Sequence, residues 1–292
     1  MTINDYIELI NKKLDEFIKI EYPQNLFKSM KYTVTLPGKR LRPILCLETC
    51  RILGGNIEYA IPTACAIEMY HSMTLIHDDL PCMDNDDFRR GKPSNHRVFG
   101  EAVATLSGDA LLTYAPEIIA KYSKNLSADT ILKVLTEYFN YSGARGVIGG
   151  QVVDIESENN PNVENKQEVL EYIHTHKTSD LFCLAMRTGA IIAGANTEIL
   201  SAVTEFARNF GLAFQIADDI LDEISTFEEM GKTLGKDKQE GKLTYVSLYG
   251  LEDAKCKFSC HIKKCYDIMN KQNLNSKVFE VIINKMIERV GI

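Results

Sequence analysis

Several features common in other protein classes are missing from this 292-residue sequence. There is no long basic run and the net charge is −7, which argues against nucleic acid as a partner, because a polyanion is held by clustered Lys and Arg. No apolar stretch approaches the length of a membrane span, so no membrane crossing is expected. The start, Met1 to Ile18, has neither a signal-peptide core nor a transit-peptide composition. That implies a soluble, cytoplasmic chain, or a plastid one if a transit peptide lies outside this sequence. No two-residue hairpin signal sits between alternating strands, and no proline follows Pro161, so nothing favours strands and little interrupts helices. Linkers, repeats and low-complexity tracts are absent too. Eight cysteines, Cys46, Cys50, Cys65, Cys82, Cys183, Cys256, Cys260 and Cys265, are scattered through a chain too large to depend on disulfides, which implies a reducing compartment.

What the sequence does have is helical periodicity. Ile3, Tyr6, Ile7, Ile10, Leu14, Phe17 and Ile18 recur on one face of an amphipathic helix. Residues 41–53, 61–80, 102–122, 130–148, 166–193, 199–224, 254–272 and 276–290 also read as helices, some apolar almost all round and therefore buried on several sides. With 45% hydrophobic and 25% charged residues, the expectation is a single all-α domain over residues 1–292, a large helical bundle around a central cavity.

Two acidic runs stand out: Asp78-Asp79-Leu80-Pro81-Cys82-Met83-Asp84 and Asp218-Asp219-Ile220-Leu221-Asp222. Crowded carboxylates in apolar helical sequence repel one another and lose hydration unless cations compensate. In the second run Asp218 and Asp222 are one helical turn apart on one face, with Asp219 rotated by about 100°. In the first, Asp78 and Asp84 would diverge on an ideal helix, but Pro81 disturbs the turn, and a bulge there brings Asp84 back towards Asp78. A solvated helix end would account for either run alone. Two runs with basic neighbours point instead to hard metal ions facing each other across a site.

The basic neighbours are Lys39, Arg40 and Arg42, then Arg89 and Arg90, then Lys232, Lys236 and Lys242. Carboxylates that hold Mg²⁺ beside Lys and Arg are the groups a diphosphate needs, and their number suits two diphosphates.

The stretch 68–112, with LPGKRLRP at 36–43, GGQ at 149–151, HTHKT at 174–178, FQIADDILDE from 214 and GKTLGKD ending at 237, resembles the short-chain trans-prenyltransferases, the farnesyl and geranylgeranyl diphosphate synthases. The resemblance covers nearly the whole chain. It implies the all-helical isoprenoid synthase fold, a homodimer, Mg²⁺ as cofactor, and head-to-tail condensation of isopentenyl diphosphate with an allylic diphosphate. By position it assigns Asp78, Asp84 and Asp218 to the metal, with Asp79, Asp219 and Asp222 in support. Arg89, Lys177, Thr178, Gln215, Lys232 and Lys242 fall to the allylic diphosphate, and Lys39, Arg42, His71 and Arg90 to isopentenyl diphosphate. His77 reads as a packing residue.

Product length is expected to depend on the side chains upstream of Asp78 on one side of the helix, Thr74, Met73 and Tyr70. Flexible Met73 beside small Thr74, where farnesyl-producing relatives commonly carry an aromatic, resembles the plant and cyanobacterial geranylgeranyl type. A C20 product is therefore expected ahead of C15. Cys46 and Cys50 resemble the CxxxC of synthases that pair with a small subunit, although two small side chains packing in a helix is the simpler account. Cys256, Cys260, His261 and Cys265 are not expected to form a zinc site, since only the first two share a helix face. Two departures from the family pattern are Val246, where proline is usual, and Asp180, an additional acid after the Lys177-Thr178 pair. A class I terpene cyclase or a non-catalytic regulatory subunit would share the fold. The first lacks need of LPGKRLRP and Arg90, and the second would have lost one acidic run.

Overall fold

The computed structural model describes residues 1–158, 160, 162–224 and 242–292; Lys232 and Lys236 lie outside them. The chain divides into two compact units, residues 1–135 with 191–193, and 136–190 with 194–292. Among the described residues the regular structure is helical apart from one two-residue ladder, in agreement with the all-α expectation.

The first unit contains α1 (Ile3–Phe17), α2 (Gln24–Thr35), α3 (Leu41–Ile52), α4 (Ile57–Asp78), the short α5 (Asn95–Phe99), α6 (Glu101–Tyr122) and the start of α7 (Ala128–Ser142). A reciprocal capping box between Thr2 and Asp5 opens α1, whose Tyr6, Ile10 and Leu14 are buried as its periodicity predicts. Helix α4 is apolar around its circumference and packs on α1, α2, α3 and α6. Asn56 starts it by accepting the Glu58 N–H.

Two carboxylates are completely enclosed in this unit. Glu48 of α3 accepts the Tyr6 hydroxyl at 2.8 Å and two Arg51 N–H groups at 2.8 and 2.7 Å. Glu68 of α4 accepts Arg40 Nη1 at 2.6 Å. Arg40 is 2% exposed and sits at a left-handed φ of 49°, a conformation that costs a non-glycine residue about 1–2 kcal/mol. Its other donors reach Asn11 Oδ1 at 2.8 Å, the Val34 carbonyl at 3.0 Å and the Leu36 carbonyl at 2.8 Å. Removing one partner from so buried a pair strands a charge, which is why the pair fixes the α2–α3 connection against α4.

The second unit holds the end of α7, then α8 (Val147–Ser157), α9 (Lys166–Ile173), a π-helical turn (His174–Ser179), α10 (Asp180–Ile192), α11 (Thr197–Ile224), α12 (Tyr245–Tyr249), α13 (Leu251–Gln272) and α14 (Lys277–Val290). Helix α11 packs against the π turn, α12, α13 and α14. Phe206 of α11 stacks on Phe210 and on Phe279 of α14. Arg187 of α10 forms a bidentate pair with Glu137 of α7 at 2.7 and 2.6 Å and donates to Thr204 of α11.

Four local features differ from the sequence expectation. The helix read over 130–148 breaks between Ser142 and Val147, where a Cβ on Gly146 would meet the Tyr141 carbonyl at 2.0 Å. The single helix read over 166–193 carries the π turn. Helix α2, confined between Pro23 and Pro37, lies outside the segments read as helices from the sequence. Finally, Phe88 pairs with Pro93 and Arg89 with Lys92 across a two-residue turn. Both turn residues, Arg90 at φ 54° and Gly91 at φ 74°, are left-handed, as a type I′ hairpin requires, and arginine in the first position gives no sequence signal for it.

Candidate active site

Each acidic run belongs to one unit. In the first, α4 stops at Asp78, because Pro81 has no N–H to continue it. Leu80 N–H reaches the His77 carbonyl at 3.1 Å, Met83 and Asn85 donate to the Leu80 carbonyl, and Asp84 N–H donates to the Asp78 carbonyl at 2.9 Å. Pro81 therefore ends the helix rather than bulging it, and a closed turn returns Asp84 to Asp78. Both are partly exposed. Asp79 is 2% exposed and accepts Arg89 through Nε at 2.9 Å and through Nη2. Arg89 also lies 3.4 Å from Asp86. Burial raises the Asp79 carboxyl above its ordinary range, against the pull of Arg89. Asp79 thus orients Arg89, while Asp78 and Asp84 share the turn.

The cations of the first unit gather around one histidine. Arg42 Nη1 lies 3.4 Å from His71 Nε2, and Arg90 Nη2 lies 3.9 Å from Glu68 Oε1. Burial, followed by the charges of Arg42, Arg90, Arg89 and Arg40, holds His71 well below the ordinary histidine value. Burial pulls Arg42 down to about 10, with Glu68 opposing and Arg90 adding to the shift. Lys39, at the mouth of the same connection, is exposed. Gly38 is a spatial requirement here: a Cβ on it would sit 2.6 Å from Arg90 Nη1. The arrangement is a half-buried, cation-rich cluster with a single deep carboxylate, suited to a polyanion. His77 packs edge-on to Gly108, where a Cβ would meet its ring at 2.0 Å, and its Nε2 contacts the Thr105 carbonyl at 3.1 Å, as its reading as a packing residue requires.

In the second unit Asp218 and Asp222 are partly exposed at the C-terminal end of α11, whereas Asp219 turns inward. Asp219 Oδ2 accepts the Tyr245 N–H at 2.8 Å and Oδ1 accepts Gln215 Nε2 at 3.0 Å. Gln215 Oε1 in turn accepts the Thr178 hydroxyl at 2.7 Å. This chain ties the π turn, α11 and α12 together. His174 lies 3.7 Å from Asp219 and is pushed down to about 3 by burial. Lys177 is paired with Asp154 of α8. The π turn presenting Lys177 and Thr178 is pinched on both sides: a Cβ on Gly150 would meet Lys177 N at 2.2 Å, and one on Gly211 would meet Ser179 Cα at 2.6 Å. That close approach is the physical reason for glycine in the GGQ segment. A small cavity beside it is lined by Asp219, Asp222, Lys242 and Thr244, and Lys242 pairs with Glu158 at 3.4 Å. A second cavity is lined by Asp218, Phe214, Leu221, Met286 and Arg289.

Among the described residues no three His, Cys, Asp or Glu side chains already form a metal site. Taken unit by unit, the partly exposed donors of the acidic runs are carboxylates, Asp78 and Asp84 in the first and Asp218 and Asp222 in the second, and each pair fits a hard divalent cation whose remaining ligands are water or phosphate oxygens. Cys256 and Cys260 are exposed, Cys265 is buried and His261 bonds Asn209 at 2.9 Å. Cys46 and Cys50 are buried. Asp180 is not a loose acid: it is 3% exposed and bonds His176 Nδ1 at 2.7 Å. Sequence reasoning missed Glu68 and Asp154. Glu68 is a lone acid within an apolar stretch of α4, and that isolation is the signal that marks a buried, paired carboxylate; Asp154, with Glu156 in the same helix, has no such signal.

Two outcomes follow from this geometry. Gly38→Ala displaces the Arg90 guanidinium; titration calorimetry with inorganic diphosphate should show binding weakened by about tenfold, or 1.4 kcal/mol. His71, His174 and His261 are all held neutral, the last at about 4, chiefly by burial. Their stabilisation is complete above the unfolded value of 6.5 and is lost as pH falls towards the folded values. Urea unfolding between pH 6.5 and 5 should lose up to about 2 kcal/mol for each of His174 and His261, with His71 adding a loss in the same direction.

Residues 23–286 match the polyprenyl synthetase family model. A dimethylallyltranstransferase of Fischerella ambigua is 50% identical over 85% of this chain and 71% of its own length. A geranylgeranyl diphosphate synthase of Cyanophora paradoxa is 47% identical over 85% of this chain and 82% of its own. Among solved structures, a geranyltransferase from Helicobacter pylori, complexed with magnesium and isoprenyl diphosphate, is 30% identical and superposes with a TM-score of 0.84, covering 98% of this chain and 95% of its own. Sharing sequence and the helical fold with these proteins, the chain belongs to the polyprenyl synthetase family and is a trans-prenyltransferase.

Proposed function

We propose that the chain condenses isopentenyl diphosphate with allylic diphosphates up to C20, releasing geranylgeranyl diphosphate. The observation that carries the C20 assignment is the interior of α4 upstream of Asp78: Tyr70 and Met73 are 0% and 4% exposed, and Thr74 folds its hydroxyl onto the His71 carbonyl at 2.8 Å. A flexible thioether at 73 yields to a growing chain more readily than a ring would. The identity with the Cyanophora paradoxa geranylgeranyl diphosphate synthase supports the same product.

Asp78, Asp84 and Asp218 would hold Mg²⁺, with Asp222 in support. Magnesium, when bound, neutralises the leaving diphosphate as its bond to the allylic carbon breaks. Asp79 and Asp219 are already engaged by Arg89 and by Gln215 and Tyr245; their part is to aim those groups. Arg89, Lys177, Thr178, Gln215 and Lys242 then hold the allylic diphosphate and stabilise the charge that accumulates on it. Lys232, assigned to the same anion, lies outside the described residues. Lys39, Arg42, His71 and Arg90 hold isopentenyl diphosphate. Neutral His71 donates or accepts a single hydrogen bond without adding charge. The alkene attacks the allylic cation, and a proton leaves to the departing diphosphate, so no protein nucleophile is needed.

The chain also pairs with a second copy on this reading. Leu132 and Phe139 of α7, two helical turns apart, are 65% and 60% exposed, a larger apolar display than a solvated helix face needs.

Incubation with isopentenyl diphosphate, Mg²⁺ and each allylic primer should give C20 alcohol after dephosphorylation and chromatography. A predominantly C15 product removes the chain-length assignment, and failure to consume isopentenyl diphosphate favours a cyclase or a non-catalytic subunit. Met73→Phe should shift the product to C15, and an unchanged distribution would count against this floor. Sedimentation velocity should return twice the 32.9 kDa chain mass, with a monomer at micromolar concentration contradicting the pairing.

A further inference from the structure

Among the described residues, Glu68 is the only carboxylate within ion-pair distance of Arg40 or Arg90. It is 1% exposed, lies in the interior of α4 and makes no contact with solvent. Arg40 and Arg90 come from distant parts of the chain, both with left-handed backbone, φ 49° and 54°, and both extend to the same Oε1 atom, at 2.6 and 3.9 Å. Arg40 uses its Nε and Nη2 donors on Asn11, Val34 and Leu36, so its guanidinium is committed to the fold. Arg90 is different: besides Glu68 it makes one long contact, to the Leu36 carbonyl at 3.5 Å, and it is 21% exposed in its side chain. Leu36 is the carbonyl that Arg40 also holds. The Arg90 guanidinium is thus located by Glu68 directly, and by Arg40 through the 36–40 connection, next to Gly38, which has no side chain to displace it.

Charge leads to the same point. Arg40, Arg42 and Arg90 converge near His71, and without Glu68 three guanidinium groups would face one another with nothing to offset them. Mutual repulsion would then drive Arg90, whose side chain on the hairpin is partly exposed, outward.

We propose that Glu68 is a positioning residue for isopentenyl diphosphate: it never touches the substrate but holds the Arg90 guanidinium, through a shared carboxylate and the Arg40-braced connection, at the place where the diphosphate is bound. This rests on the assignment of Arg42, His71 and Arg90 to that diphosphate.

Steady-state kinetics with each substrate varied in turn tests it. Glu68→Gln should raise KM for isopentenyl diphosphate by about tenfold, while kcat and KM for the allylic substrate stay within about twofold, because only one of the two diphosphates loses an oriented arginine. Glu68→Asp, which keeps the charge but shortens its reach, should fall between the wild type and Glu68→Gln. Glu48→Gln is the control: Glu48 is equally buried, but its arginine, Arg51, stands away from these residues. An equal rise in both KM values, or the same selective rise in Glu48→Gln, overturns the proposal. If Glu68→Gln does not fold, Glu68→Asp decides alone, and a wild-type KM for isopentenyl diphosphate refutes the positioning role. A wild-type enzyme that consumes no isopentenyl diphosphate defeats the functional assignment instead, and the two failures are distinguishable.

Discussion

The ion pair between Arg40 and Glu68 is the constraint on which the rest of the first unit depends. A guanidinium and a carboxylate at 2.6 Å, each with under 3% of its side chain exposed, are stable there because the Nε and Nη2 donors of Arg40 are used as well. Satisfying those donors forces the chain between α2 and α3 into one path, with a left-handed residue at its centre. Pro37, Gly38, Lys39 and Arg42 take their places from that path. The long, almost wholly apolar α4 supplies the opposite wall and carries Glu68, His71 and Asp78 along its length, so the same helix that forms the core also spaces the chemistry.

The second unit solves a related problem without an ion pair at its centre. Asp219 uses both oxygens on neutral donors, a backbone N–H and a glutamine amide, and Gln215 passes the constraint on to Thr178. Such a chain of hydrogen bonds fixes direction as well as distance, because Gln215 has its donor and its acceptor committed and Asp219 accepts at both oxygens. Within each acidic run, then, one aspartate is turned inward to organise its surroundings and its neighbours are left to reach outward. Repetition of this division in two unrelated helical contexts is a physical reason for adjacent aspartates where a single one would bind metal as well.

Much of this was legible in the sequence. Apolar runs and their caps located the long helices to within a few residues, and the aspartate spacing located the two acidic runs. What was not legible depends on backbone or on contacts between distant residues. Local propensity gives no reason for arginine at φ 54°, so the Arg90-Gly91 hairpin was invisible. A helix with one additional residue per turn has the same composition as one without, so the π turn read as continuous α. Pro81 was rightly singled out, but a helical wheel cannot tell a bulge from a stop. The roles of Asp79 and Asp219 were assigned alongside their neighbours because sequence orders residues by position, whereas burial separates them by direction.

The π turn has a consequence for how this chain can vary. An α-helix accommodates substitution at most positions, but a π turn is a count: one more residue than the regular repeat occupies the same rise between Ile173 and Asp180. Loss of a single residue there would restore the regular repeat and leave α10 in phase with α9, but it would draw in the widened turn that presents Lys177 and Thr178. Lys177 would then lose Asp154, and Thr178 would lose Gln215, although none of these residues had changed. The segment is therefore tolerant in letter and rigid in length. Insertions and deletions, more than replacements, are the changes that this part of the molecule is built to exclude.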